Sequence, residues 1–183
     1  MSTRTEIKYE SKIQGKESEK IRYLATAGIM AALITLMTAY ICHIPVGTNG
    51  GYIHFGDSLI YLAAVLLPRP YALAAAAIGG GLADLLTAPM WAPATIIIKM
   101  LITLPFTNKS NKIVSTRNVI AAIVAYFISG ISYFLAEYLI FGTWSVFLTS
   151  MAGSLIQSGG SAIFFLIFGG ALDKAHIKGR FFE

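Results

Sequence analysis

The sequence predicts an all-α integral membrane protein of six transmembrane helices, both termini cytoplasmic, with a long external loop between helices one and two. Three observations carry this prediction. First, 56% of the 183 residues are hydrophobic and 13% charged, whereas soluble domains carry about a quarter charged residues. The mean hydropathy is +0.68. Second, the apolar residues gather in six runs divided by turn-forming or charged connections, and a run of about twenty residues matches a bilayer crossing. Third, the positive charges are lopsided. Of 14 Lys and Arg, six precede the first run, Arg69 lies in the second connection, Lys109, Lys112 and Arg117 in the fourth, three in the C-terminal tail, and Lys99 inside a run. The connections 45–57, 87–93 and 142–146 have none. Positively charged loops stay on the cytoplasmic side, so six crossings with both ends inside satisfy every loop.

Residues 1–22 are polar, with Lys8, Lys12, Lys16, Lys20 and Arg22 interleaved with Glu6, Glu10, Glu17 and Glu19. They read as a solvated cytoplasmic tail with a juxtamembrane helical end. No cleavage pattern of small residues follows the first apolar run, which is expected to stay as a membrane helix. That first span, Tyr23 to about Ile44, carries Ala27, Gly28, Ala31, Ala32 and Thr35 at helical spacing. Small residues so spaced make a flat strip on which another helix can lie closely, inside the protein or on a partner.

The loop Val46–Asp57 is rich in Gly and carries Asn49, Tyr52, His54 and Asp57. It reads either as a lid over a site or as an ordinary connection. Span two, about Ser58–Leu67, is short and ends at Pro68-Arg69-Pro70, where the prolines lack amide donors and push their predecessors out of helix. Span three, Tyr71–Leu86, contains Gly79-Gly80-Gly81. In a membrane a triple glycine permits close helix contact, and this one lacks the spacing of a phosphate loop. Thr87–Pro93 is a tight connection with Trp91, a residue suited to the interface. Span four is Ala94–Phe106, span five Asn118–Phe141 and span six about Phe147–Leu172, with Trp144 between the last two and the tail 173–183 after them. The membrane domain is thus 23–172.

The net charge of +5 and sequence pI of about 9.4 follow the loops and point to lipid headgroups rather than nucleic acid. The single cysteine, Cys42, excludes an internal disulfide and reads as a small packing residue.

Four ionisable groups remain in or beside the spans: Asp57, Asp84, Lys99 and Glu137. Charges at membrane depth are expensive, so they face an interior or cavity and find partners. At 1.5 Å per residue, Asp84 lies about 3–5 Å inside the outer end of its span, Lys99 about 8–9 Å, Glu137 about 6 Å, and Gln157, with Ser158 and Ser161 near it, about 15 Å. With Trp91, Tyr133 and Trp144 on the same side, these groups are expected to converge on one pocket open to the outside. The bland alternative is that Lys99 pairs with Asp84 or Glu137 and merely fixes helix packing. A metal on His54 and Asp57 is poorly supported, because two ligands three residues apart make a weak site. No cofactor or metal is expected.

Several of these stretches resemble the substrate-binding S components of energy-coupling factor (ECF) transporters: Ala27-Gly28-Ile29-Met30-Ala31, then Gly51 to Asp57, the Leu-Leu-Pro turn, Gly80 to Leu86 and Trp91 to Lys99. The subgroup they are most similar to includes hydroxymethylpyrimidine, other vitamin-precursor and queuosine-precursor transporters. The resemblance implies a six-helix protein of the prokaryotic cell membrane that captures a vitamin-like molecule outside, beneath the loop between helices one and two. It implies association with a transmembrane coupling protein driven by two cytoplasmic ATPases. Ala27 and Ala31 match the family's Ala-x-x-x-Ala contact motif for that coupling protein, and Asp57, Asp84 and Lys99 match the subgroup's polar positions. No Walker motif is present in the sequence, so ATP hydrolysis would belong to separate subunits.

The leading expectation is therefore a transporter S component, not an enzyme, that binds a small heteroaromatic solute such as a queuosine precursor or a hydroxymethylpyrimidine-type thiamine precursor. Tyr52, Trp91, Tyr133 or Trp144 would stack on its ring, while Asp57, Lys99 and Glu137 would meet its polar groups, with Asn49, His54, Asp84 and Gln157 in the same site. A second reading is a stand-alone ion-coupled carrier with Asp84, Lys99 and Glu137 as a relay, although no inverted repeat is evident. A third, an intramembrane enzyme using His54 and Asp57, lacks a convincing nucleophile or metal set.

Overall fold

The computed structural model describes residues 2–41, 43–46, 51–142 and 147–182. Asn49 and Trp144 lie outside the described residues, and of Tyr52 the backbone alone is described.

The polar tail and the first apolar run form one continuous helix, α1 (Ser2–Leu36), which passes into a single π-helical turn at Met37–Ile41. Extending an existing helix costs only propagation, and the tail contains no proline to stop it. A short antiparallel hairpin follows, β1 (Ile44–Val46) and β2 (Gly51–Ile53), with Ile44 opposite Ile53. The helices α2 (Asp57–Leu66), α3 (Arg69–Thr87), α4 (Ala92–Thr103), α5 (Thr116–Phe141), α6 (Phe147–Lys174) and α7 (Ile177–Phe182) complete the chain. Asp57 is thus the first residue of a helix, where the expected loop would have ended.

Four described segments are long and apolar enough to cross a bilayer: Lys12–Ile41, Arg69–Thr87, Thr116–Phe141 and Ile156–Lys174. Two shorter apolar segments, Asp57–Leu66 and Pro89–Thr103, correspond to the expected second and fourth spans. Their shortness has an explanation in packing. At 1.5 Å per residue the ten residues of α2 reach about 15 Å, half of the hydrocarbon thickness. This helix touches α1, α3, α4 and α6, and every residue in it except Leu59 is buried. A helix that is apolar all round belongs in the middle of a bundle.

Around this central helix, α3 packs between α1 and α4, and α5 between α4 and α6. The triple glycine makes the first of these contacts possible. A Cβ on Gly79 would stand 2.7 Å from the Ile34 side chain and 2.9 Å from the Ala31 carbonyl; on Gly80, 2.7 Å from Lys99 Cγ; on Gly81, 2.7 Å from Ile96. Consecutive glycines therefore face α1 and α4, and no larger residue fits without displacing a neighbour.

Ala27 and Ala31, 5% and 6% exposed, belong to this internal contact. The small residues on the outward side of α1 are Ala25, Gly28 and Ala32, and nothing lies within 4 Å of where a Gly28 Cβ would be.

At the end that carries the termini, Tyr61, Phe106 and Phe165 form an aromatic cluster, with Tyr61 stacked on Phe106 at 4.8 Å and Phe165 edge-on to both. The 104–115 loop is tied down by two side chains. Asn118 accepts from the Thr107 amide and donates to the Thr107 and Ile113 carbonyls. Asp173, near the end of α6, accepts from the amides of Ile113 at 2.7 Å and Val114 at 2.9 Å.

Candidate functional site

Residues spaced by one helical turn bring the polar groups together. Trp91, in the turn that leads into α4, and Thr95 and Lys99 on α4 recur every four residues, as do Ser129, Tyr133 and Glu137 on α5, Asp57 and Tyr61 on α2, and Gly80 and Asp84 on α3. Positions i and i+4 share a helix face, so each of these helices presents one polar stripe.

The stripes meet at Asp57. Lys99 Nζ donates to Asp57 Oδ1 at 2.6 Å, with the two side chains 1% and 0% exposed, and Gln157 Nε2 donates to Oδ2 at 3.1 Å. The sequence left Lys99 to pair with Asp84 or Glu137; its salt-bridge partner is Asp57. Two features favour a carboxylate there. It lies in the first turn of α2, where the helix dipole stabilises negative charge. Each of its oxygens also has a donor, as buried charge requires.

Gly80 makes room for the lysine stem, which passes over α3 where a side chain would block it. Lys99 Nζ lies 5.3 Å from the centroid of the Tyr133 ring, within cation–π range. The Tyr133 hydroxyl is 3.1 Å from Thr95 Oγ1, and Trp91 stands at an angle to Tyr133 with centroids 6.3 Å apart. Asp84 and Glu137 are also buried, and the Asp84 carboxylate acts electrostatically on both Lys99 and Tyr133.

The segment after the hairpin covers this centre from one side. His54 is buried, its Nδ1 accepting from the Gly56 amide at 3.0 Å and lying 3.5 Å from Thr38 Oγ1. With Nδ1 an acceptor, the ring proton sits on Nε2. Burial, and then the nearby Lys99 cation, push the His54 pKa down to about 3, so the imidazole is neutral. Phe55 lies on Phe164 at 5.1 Å and occupies the space a Gly160 Cβ would need. Among the described residues, no group of three His, Cys, Asp or Glu is arranged to hold a metal ion.

Of the expected site residues, the structure thus brings Asp57, Lys99, Gln157, Tyr133 and Trp91 into one cluster. His54 sits beside it, and Asp84 acts on it. Thr38 and Thr95 were missed; Thr95 could have been found from its place midway between Trp91 and Lys99, whereas the π turn that carries Thr38 leaves no pattern. Tyr61 was missed as well, although it lies one turn from Asp57.

Below the ion pair lies a second group of polar atoms. Tyr61, Ser129, Ser158 and Ser161 are fully buried; the Tyr61 and Ser158 hydroxyls face each other, while among the described residues those of Ser129 and Ser161 have no hydrogen-bond partner. Buried hydroxyls without partners are rare and expensive, and their usual complement is water or a bound solute.

Comparison with known proteins adds two findings. The family described as ECF-type riboflavin transporter, S component, matches residues 18–174. A protein of Pyrococcus woesei described as "Uncharacterized protein in gap 3'region" is 38% identical over 63 residues, which span 34% of this chain and 43% of that protein. The match thus spans less than half the length of that relative.

Proposed function

This chain belongs to the family of ECF-type riboflavin transporter S components, a substrate-binding membrane subunit rather than an enzyme, and we propose that it captures a small heteroaromatic solute through a pyrimidine edge. The observation that carries this reading is the Lys99–Asp57–Gln157 centre. It sets a donor, an acceptor and an amide side by side in a dry site, with the Tyr133 and Trp91 rings close by. A ring edge that alternates N–H with carbonyl or ring nitrogen matches that order, and a flat ring can stack on the aromatics. A queuosine precursor, a hydroxymethylpyrimidine and riboflavin all present such an edge.

In this reading the solute enters from outside when the hairpin and Phe55 swing off α6. Its ring edge then takes over part of the Lys99–Asp57 hydrogen bonding, so charges already positioned need no further ordering. The buried hydroxyls of Tyr61, Ser158 and Ser161 would receive its deepest polar group. Asn49, Tyr52 and Trp144 are proposed as parts of the lid and rim, with Asp84 and Glu137 tuning the charge of the centre.

We further propose the six-crossing arrangement with cytoplasmic termini, the short α2 and α4 completing the four long crossings, in a prokaryotic cell membrane. Release inward would need a transmembrane coupling protein and two ATPase subunits. The outward strip Ala25, Gly28 and Ala32, next to the inward-facing Ala27 and Ala31, is flat enough to receive a coupling helix.

The test is isothermal titration of the purified protein with a queuosine precursor, 4-amino-5-hydroxymethyl-2-methylpyrimidine and riboflavin. Tight binding of one of the three, lost in Asp57→Asn, supports the reading and names the ring. No binding of any, together with proton movement by the protein alone in liposomes, would replace it with an ion-coupled carrier.

A further inference from the structure

The end of the bundle away from the termini buries more negative charge than positive. Asp57, Asp84 and Glu137 are 0%, 4% and 7% exposed there, against one lysine, Lys99, at 1%. No other Lys or Arg of the chain comes near. The rest lie in the two tails, at Arg69 where α3 begins, and between 109 and 117, all at the opposite end. Along α3, Arg69 is about 22 Å from Asp84. The connections 45–57, 87–93 and 142–146 carry no Lys or Arg, and the His54 imidazole is neutral. Hydrogen bonds can hold a buried carboxylate, but they do not cancel its charge, and unbalanced charge at membrane depth is expensive.

Two of these carboxylates flank the aromatic wall of the site. A Cβ on Gly80 would meet both Lys99 and Thr95, so Asp84, one turn further along the same face of α3, is directed towards Thr95 and Trp91. Its carboxylate acts electrostatically on Lys99 and Tyr133. From the other flank, the Trp91 ring lies 6.3 Å from that of Tyr133 and 6.1 Å from that of Phe141, residues one turn either side of Glu137 on α5. The indole therefore lies against the turn that carries Glu137. Trp91 is 8% exposed, and its Nε1 is buried with no hydrogen-bond partner among the described residues. A buried donor left in this state is uncommon, and a solute acceptor is one of its usual complements.

We propose that a protonated amine on the solute supplies positive charge that the chain lacks here, seated by Asp84 and Glu137 beside the Tyr133 and Trp91 rings. The assignment rests on the ring-edge reading of the Lys99–Asp57–Gln157 centre and narrows the solute to one with an amino arm. An organic ammonium gains charge-assisted hydrogen bonds from the carboxylates and cation–π attraction from the rings. The Trp91 N–H then meets an acceptor at the root of that arm, a ring nitrogen or a carbonyl. An inorganic cation needs a shell of ligands instead, and among the described residues no group of three His, Cys, Asp or Glu is arranged to provide one.

The experiment titrates the purified full chain calorimetrically with two solutes that share one pyrimidine edge, 7-aminomethyl-7-deazaguanine and its neutral nitrile, 7-cyano-7-deazaguanine. The wild type should bind the amine at least about tenfold more tightly. Glu137→Gln and Asp84→Asn should each reduce that preference about fivefold, and nitrile binding that persists shows that the variants fold. Equal affinities in the wild type, or an unchanged preference in both variants, would overturn the proposal. Benzylamine, which has no pyrimidine edge, separates this assignment from the ring-edge reading. It should raise the thermal midpoint of the wild type, but not of Glu137→Gln, above the value in benzyl alcohol or in sodium chloride at equal concentration. Stabilisation by benzylamine when neither deazaguanine binds would support the amine seat and sink the ring-edge reading. Nitrile binding without any effect of benzylamine would mean the reverse, and no response to any of the three would sink both. Sodium chloride that stabilises as well as benzylamine would make this a seat for an inorganic cation and overturn the proposal.

Discussion

The two sides of the bundle use glycine to different extents. Between α1, α3 and α4, Gly79, Gly80 and Gly81 stand where a Cβ would strike Ile34, Lys99 and Ile96, so the backbones are as close as atoms allow. On α6, Gly160 and Gly169 likewise stand against Phe55 and Ile113, but nothing lies within 4 Å of a Cβ at Gly153, Gly159 or Gly170. Close packing on one side holds the Lys99 stem and, through it, the ion pair with Asp57. The other side, which supplies Gln157, is closely packed at those two glycines and open along the rest. A site walled by close packing on the α3 side, and covered on the α6 side by a single ring, Phe55 on Phe164, can stay organised when empty and still admit a solute.

The largest expected effect breaks the rigid wall at its charge. Lys99→Met leaves Asp57 buried without its cation and should cost about 3–5 kcal/mol. The double variant Asp57→Asn/Lys99→Met removes the stranded charge and should recover most of that stability. A thermal midpoint that stays as low in the double variant as in the single one would mean that the lysine acts through packing alone. Next comes the glycine contrast. Gly80→Ala must displace Lys99 Cγ and should destabilise by about 1–3 kcal/mol, and denaturation in matched detergent measures it.

The segment that covers the site provides a pH test. Folded His54 has a pKa of about 3, below the ordinary imidazole value near 6.5. Between those values the unfolded chain binds a proton that the folded chain does not, so stability is complete above about pH 6.5 and falls as the pH drops. The loss should reach about 2 kcal/mol by pH 5. In His54→Asn, which keeps an acceptor for the Gly56 amide, the thermal midpoint should lose that pH slope; an unchanged slope would place the titrating group elsewhere. The smallest effect has the opposite sign. Gly159→Ala, with open space around it, should stabilise by about 0.5–1 kcal/mol by reducing backbone freedom. Destabilisation there would mean that α6 is packed against something on that face.

Much of this contrast could be read from residues. The triple glycine, the charges inside apolar runs and the loop asymmetry point to tight helices, a buried polar centre and a layered topology. The pairing of Lys99 could not be read, because its partner is 42 residues away and three carboxylates lay at similar depths. The start of α2 at Asp57 was hidden for a local reason: the Gly-rich segment before it reads as a loop, and its N-cap is Gly56, which has no capping side chain. Of the buried hydroxyls, Ser158 and Ser161 could be read beside Gln157, whereas Ser129 could not, because serine at helical spacing also marks ordinary small-residue packing. In each case the missing information was which faces meet, and that is fixed by the whole bundle.

The most direct test of the central claim is native mass spectrometry of the purified protein without added ligand, with identification of the compound released on denaturation, for the wild type and for Asp57→Asn/Lys99→Met. The account predicts a pyrimidine-ring compound released from the wild type and none from the double variant, at similar thermal midpoints. Retention of the same compound by the double variant would place the binding site away from the ion pair and contradict the account.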